Sequence, residues 1–270
     1  MEKAIKRYFP IFVLPTMIAF TLGFIIPFVE GVYLSFCKFT TVNDAKFIGF
    51  ANYAKVFADE TFVHAFWYTA AFTVVSVILI NVLAFAVALL LTKGFKGTNI
   101  FRTVFFMPNL IGGIVLGYIW QLLLNGILMK FSRTLTYSST YGFWGLIILM
   151  CWQQIGYMMI IYIAGIQNIP GELIEAAEID GATKWQILKK VTIPMVMPSI
   201  TVCTFLTLTN SFKLFDQNLA LTNGEPSKMS EMLALNIFYT FYGRTGYEGV
   251  GQAKAVIFFI LVTVIALTQN

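Results

Sequence analysis

Apolar residues run along this chain in six long blocks separated by polar segments. The blocks cover 9–36, 66–91, 104–124, 144–166, 195–214 and 250–267. A membrane-crossing helix needs about 20 mostly apolar residues. Each block has roughly that length, so the pattern predicts six transmembrane helices. The expected fold class is all-α integral membrane, with one transmembrane domain over 1–270. No polar segment resembles a second soluble domain, and no internal repeat is visible. The first block follows a basic stretch, 1–8, as in a signal peptide. Its length, its prolines Pro10, Pro15 and Pro27, and the lack of a small-residue cleavage site point instead to a retained first helix.

Composition strengthens this reading. Hydrophobic residues make up 58% of the chain and charged residues 11%, against about 25% charged in a typical soluble domain. So few charges cannot coat a soluble globule of this size, and lipid must cover much of the surface. The net charge of +5 then reflects basic residues at a membrane face rather than nucleic-acid contact. Lys3, Lys6 and Arg7, then Lys93, Lys96 and Arg102, then Lys184, Lys189 and Lys190 mark one side at high charge density. Lys38, Lys46, Lys55, Lys130, Arg133, Lys228, Arg244 and Lys254 are counted to loops of the other side, mixed with acids. The N-terminus is therefore expected in the cytoplasm, and six crossings return the C-terminus there. A cytoplasmic end at Asn270 without a basic tail suggests a chain cut short. Cys37, Cys151 and Cys203 lack the spacing of a disulfide framework or zinc site.

The most informative polar segment is 167–198, QNIPGELIEAAEIDGATKWQILKKVTIPMVMP. Pro170 suits a helix start, and Glu172 and Glu175 suit the positive end of its dipole. Gly181 permits a bend. A second short helix, 183–191, carries Trp185, Leu188 and Val191 on one side, and Pro194 and Pro198 mark entry to helix five. Charged loop residues usually form only a solvated face. Here Ala176, Ala177, Gly181 and Ala182 are spaced so that another protein can approach closely.

Glu175-Ala176-Ala177, Gly181, Val191, Ile193 and Pro194 resemble the EAA loop of ABC importer permeases, with Val191 and Ile193 as conservative replacements. Asp180-Gly181-Ala182 and Pro198 resemble its carbohydrate branch. The resemblance extends to Ile48-Gly49-Phe50-Ala51-Asn52-Tyr53, to Phe101-Arg102-Thr103 with Pro108 and Trp120, to Phe215-Asp216, and to Leu221-Thr222-Asn223-Gly224-Glu225-Pro226. In that last stretch Glu225 stands where the family has a second glycine. Together these are similar to the first, maltose-type permease of a pair.

The resemblance implies an importer subunit of a bacterial or archaeal inner membrane. The EAA loop would dock as a coupling helix on a cytoplasmic ATPase dimer, through Glu175, Ala176, Ala177, Asp180 and Gly181. A second permease of the same family and an extracytoplasmic sugar-binding protein would complete the assembly in lipid, with no nucleic acid involved. The chain has no GxxxxGK[ST] loop, so ATP and Mg would be used by the partner ATPase and no cofactor bound here.

Polar residues inside apolar blocks are costly and mark cavities or helix contacts. Candidates for a substrate pathway are Trp152, Gln153, Gln154 and Tyr157 on helix four and Thr207, Asn210 and Ser211 on helix five. The resemblance maps the family's sugar contacts near these positions, and near Met150 and Leu214. Amides and hydroxyls suit a neutral di- or oligosaccharide, since both donate and accept. Structural bonding between helices, worth about 0.6 kcal/mol per contact, is the competing reading for the Thr and Ser residues. Only one of the adjacent Gln153 and Gln154 can face a cavity. Lys213 and Asp216, three apart, are read as a structural or gating pair. Glycerol phosphate is a weaker alternative, since phosphate would want several cavity arginines. A secondary transporter lacks its usual repeats here. An intramembrane enzyme lacks a nucleophile–base cluster, and His64 is badly placed for one.

Overall fold

The computed structural model describes residues 2–94 and 96–268, with 2–7 as backbone alone. The side chains of Lys3, Lys6 and Arg7, and Asn270, lie outside the described residues. Helix α1 (Glu2–Phe20) holds Pro10 and Pro15 and passes through a π-turn, Thr21–Ile25, into α2 (Ile26–Leu34). A two-stranded antiparallel hairpin follows, β1 (Cys37–Lys38) with β2 (Lys46–Phe47). Then come α3 (Ala51–Phe57), α4 (Glu60–Leu91), α5 (Thr98–Phe106), α6 (Gly113–Leu128) and α7 (Ser139–Gln167). The chain continues through α8 (Gly171–Ile179), α9 (Lys184–Ile187), α10 (Ile193–Met195) and α11 (Met197–Phe212). It ends with α12 (Asp216–Leu221), α13 (Leu233–Gly243) and α14 (Glu248–Thr268). Among the described residues five helices are long and apolar enough to cross a membrane, or six if a bent pair counts as one span.

One expected span is corrected and a second gains a bend at its start. The block 104–124 is not one helix. It is α5, a 3-10 turn Met107–Leu110, and α6. Pro108 cannot donate to the helix ladder, and Gly112 is extended at ψ 140°, capping α6 instead of continuing α5. The block 195–214 holds one continuous helix, α11, and a bend of 68° at its start separates it from Lys184–Met195, where Pro194 and Pro198 flank Val196. The second loop helix, expected over 183–191, is shorter as an α-helix. It turns into a π-segment, Leu188–Thr192, that runs on toward α10.

The chain forms two compact units, one made by the chain up to Phe62 with Asn236–Leu261, the other by Val63–Leu235 with the stretch from Val262. In the first, the hairpin packs on α3. Asn52 Nδ2 donates to the carbonyls of Ser35 (2.9 Å) and Cys37 (2.8 Å), and the Ser35 and Tyr53 hydroxyls meet at 2.7 Å. Helix α14 approaches so closely that a Cβ on Gly249 would lie 2.2 Å from the Cys37 carbonyl oxygen.

The same unit corrects the placement of Lys254, which was counted to a loop. It lies inside α14, fully buried, and its Nζ donates to Asp59 Oδ2 (2.8 Å), Asn236 Oδ1 (2.7 Å) and Thr240 Oγ1 (2.8 Å). Asp59 sits just ahead of α4. Burial pushes its carboxyl up, but hydrogen bonds from Lys254 and Thr61 outweigh that and hold it down at about 2.

The second unit packs through small residues, as membrane helices without a hydrophobic drive between them do. A Cβ on Gly117 of α6 would lie 2.6 Å from Ala220 Cβ of α12. One on Gly156 of α7 would lie 1.8 Å from the Phe105 carbonyl oxygen of α5. Past α12, Asn218 binds the following loop. Its Nδ2 donates to Thr222 Oγ1 (2.9 Å) and the Ser230 carbonyl (2.8 Å), and its Oδ1 accepts from the Met232 N–H (2.9 Å).

Candidate functional site

Some of the residues singled out from the sequence gather at two places in the second unit, an elbow after α7 and a pocket beside α7, α11 and α12.

The elbow is built by local chemistry. Pro170 caps α8 from outside the helix with φ −58°, and Glu172 lies in its first turn. At the other end the Gly181 N–H donates to the Glu178 carbonyl (3.0 Å) and the Ala182 N–H to the Ala177 carbonyl (2.9 Å). That is the paired bonding of a Schellman C-cap, which needs a left-handed residue one place past the cap. Gly181 supplies it at φ +78°. Thr183 then opens α9 through a capping box. Its N–H donates to Gln186 Oε1 (2.7 Å) while its Oγ1 accepts from the Gln186 N–H (3.3 Å). Stop and start signals two residues apart fix the angle between the two short helices. A recess of about 260 Å³ opens there, lined by Ala177, Asp180, Gly181, Ala182, Gln186 and Lys190 among others. Glu175, Ala176, Asp180 and Gly181 are exposed, and Ala177 is half-buried. Two large apolar side chains also face outward, Ile179 at 86% and Trp185 at 69% exposure.

The pocket, of about 330 Å³, is lined by Met150 and Gln154 of α7, Asn210 of α11, and Lys213, Leu214, Phe215, Asp216 and Gln217 at the α11–α12 turn. Gln154 is 8% exposed, and its Oε1 has no hydrogen-bond partner among the described residues. Its neighbour Gln153 is turned away, about 100° around the helix. Gln153 Oε1 accepts from Gln217 Nε2 (2.8 Å), and its Nε2 donates to the Ile111 carbonyl (3.4 Å). Of the two glutamines, Gln154 faces the pocket and Gln153 holds Gln217 at its rim.

The other candidates lie elsewhere. Thr207 Oγ1 donates to the Cys203 carbonyl (2.7 Å) and accepts from Asn81 Nδ2 (3.3 Å), whose Oδ1 accepts from the Tyr162 hydroxyl (2.7 Å). Ser211 is fully buried, with no partner for its Oγ among the described residues. Trp152 is 43% exposed and meets Trp120 edge to face at 5.5 Å. Tyr157 stands 6.4 Å from Phe106. Lys213 and Asp216 share the pocket but make no ion pair with each other, which corrects the pairing read from their spacing. That pairing assumed a continuous helix, whereas α11 ends at Phe212 and α12 starts at Asp216. Gln217 was missed. It follows Phe215-Asp216, a pair noticed only as part of a motif, and no periodicity distinguishes it.

Comparison with known proteins bears on both places. The profile of the family described as binding-protein-dependent transport system inner membrane component matches residues 80–270. A probable starch degradation products transport system permease protein, AmyD of Thermoanaerobacterium thermosulfurigenes, is 42% identical over 96% of this chain and 91% of its own. The trehalose/maltose transport system permease protein MalF of Thermococcus litoralis is 27% identical over 93% of this chain and 88% of its own. The fold is shared with a bacterial ABC transporter involved in the import of the acidic polysaccharide alginate, at a TM-score of 0.83 and 23% identity over 99% of this chain and 96% of that one. With the family profile over most of its length and close similarity to AmyD nearly end to end, this chain belongs to the binding-protein-dependent transport system inner membrane components.

Proposed function

We propose that this chain forms half of the translocation pathway of an ATP-driven importer, and that its cargo is a neutral di- or oligosaccharide delivered by an extracytoplasmic binding protein. A second permease of the same family supplies the other half. The whole chain acts as one membrane domain with both termini in the cytoplasm, where the short, densely basic segments lie. ATP and Mg are used by a separate ATPase dimer.

The pocket beside Gln154 carries the substrate reading. Its amides, from Gln154, Asn210 and Gln217, donate and accept as sugar hydroxyls require. Lys213 and Asp216 balance each other in charge, which favours a neutral cargo over a phosphorylated one. The sugar-transport names of the relatives point the same way. The elbow supports the coupling role. Glu175, Ala176, Ala177, Asp180 and Gly181 surround a stiffly capped bend, and exposed Ile179 and Trp185 provide apolar contact for an ATPase groove.

The test is the full importer, with its cognate permease, ATPase and binding protein, reconstituted in liposomes. Neutral maltodextrins are expected to stimulate ATP hydrolysis and to accumulate inside. Gln154→Leu and Asn210→Leu should lower uptake while leaving assembly intact. Stimulation by glycerol phosphate but by no neutral sugar would overturn the substrate class. Normal coupling in Glu175→Lys would overturn the elbow's role.

A further inference from the structure

A second cavity, of about 420 Å³, lies at the turn between α4 and α5, away from the substrate pocket. Thr92, Gly97, Thr98, Asn99, Arg102 and Gln167 are among its lining residues. Arg102 is half-buried, and its Nε is buried with no hydrogen-bond partner among the described residues. A guanidinium held in that way lacks the planar acceptor its fork is built to meet. The charge on the two chain segments that line it is of one sign. Residues 92–106 carry Lys93, Lys96 and Arg102 and no acid, and the facing stretch of α7, 160–167, carries no charge at all. Lys93 and Lys96 are both exposed.

Arg102 and Gln167 also line a second space, a groove of about 360 Å³ completed by Thr103, Phe106, Ile160, Ile163 and Ala164. A basic cavity therefore adjoins an apolar groove, with Arg102 and Gln167 lining both. A free phosphate would fill only the first part. A molecule with an anionic head and a hydrocarbon tail fills both. We propose that this is a binding site for an anionic phospholipid, with the phosphate on Arg102, Lys93 and Lys96 at the headgroup and one acyl chain along Phe106, Ile160 and Ile163.

The test uses the full-length chain in its assembled importer. The complex is reconstituted in nanodiscs of phosphatidylcholine with phosphatidylglycerol, re-extracted in mild detergent, and retained lipid is counted by native mass spectrometry. Phosphatidylglycerol should be retained over phosphatidylcholine. Each of Lys93→Gln, Lys96→Gln and Arg102→Gln should lower its retention about 5-fold. The lysine variants are exposed and leave folding intact, so they decide the matter should Arg102→Gln fail to assemble. Ile160→Trp, which fills the groove, should also release the lipid. Equal retention of both lipids, or wild-type retention in the lysine variants, would overturn the proposal. So would loss of the lipid to millimolar inorganic phosphate, which would make the site one for free phosphate.

Discussion

Replacing Lys254 by methionine removes the cation and its hydrogen bonds to Asp59, Asn236 and Thr240 while keeping most of the side-chain volume. Breaking a buried ion pair by deleting one partner costs about 3–5 kcal/mol, because the other charge stays behind uncompensated. Asp59 keeps 18% of its side-chain surface exposed, so water recovers part of its solvation and the lower end applies. The expected loss is about 3 kcal/mol, roughly a hundredfold in the folded ratio. Asn236 Oδ1 and Thr240 Oγ1 lose their donor as well, which keeps the figure from falling far below this. Unfolding in detergent, followed by tryptophan fluorescence in a denaturant series, measures the loss. Combined with Asp59→Asn it should lose less than the two single changes together, since removing both charges leaves none stranded. The carboxylate adds a pH signature. Its native value of about 2 lies below the ordinary 3.8. The stability it contributes is therefore complete above about pH 4 and lost as pH falls through 2. The advantage of wild type over Asp59→Asn should shrink in that window. A loss under about 1 kcal/mol for Lys254→Met, or strict additivity with Asp59→Asn, would refute the reasoning.

The other predictions concern the second unit. Gly156→Ala drives a methyl against the Phe105 carbonyl and should cost at least about 1–3 kcal/mol by overpacking, read as a lower melting temperature of the purified complex. Gly181→Ala places a Cβ at φ +78° and should strain the elbow by about 1–2 kcal/mol. Uptake should then fall relative to ATP hydrolysis, with the amount of assembled complex unchanged. The two glutamines should separate by assay. Gln154→Leu should raise the KM for transport with little change in melting temperature. Gln153→Leu, which strips partners from Gln217 and the Ile111 carbonyl, should lower stability by about 1–2 kcal/mol.

Much of the fold was legible because lipid imposes a simple rule of length and apolarity, which blocks such as 66–91 and 144–166 obey. The rule reads composition and is blind to backbone breaks. Within 104–124 the apolar run continues through Pro108 and Gly112, but the helix does not. It also misses short elements. Helices α12 and α13 have only 6 and 11 residues, too few to register as spans. The elbow at Gly181 was legible because its caps are local, written in residues that touch along the chain. The pocket was half legible. Gln154 and Asn210 were visible as polar residues in apolar blocks, but which glutamine faced inward depended on Gln217, which comes 64 residues after Gln153. Lys254 was misjudged for the same reason. Nothing near it in the chain reveals acceptors at positions 59, 236 and 240.

Those three acceptors share one property: all precede Lys254 in the chain. During synthesis Asp59, Asn236 and Thr240 leave the ribosome before the lysine does. A lysine resists entry into a bilayer when it arrives unpaired, but here a ready-made set of oxygens waits for it. Membrane insertion of α14 should therefore depend on earlier segments already being in place, and a truncation removing Asp59 should leave α14 poorly inserted.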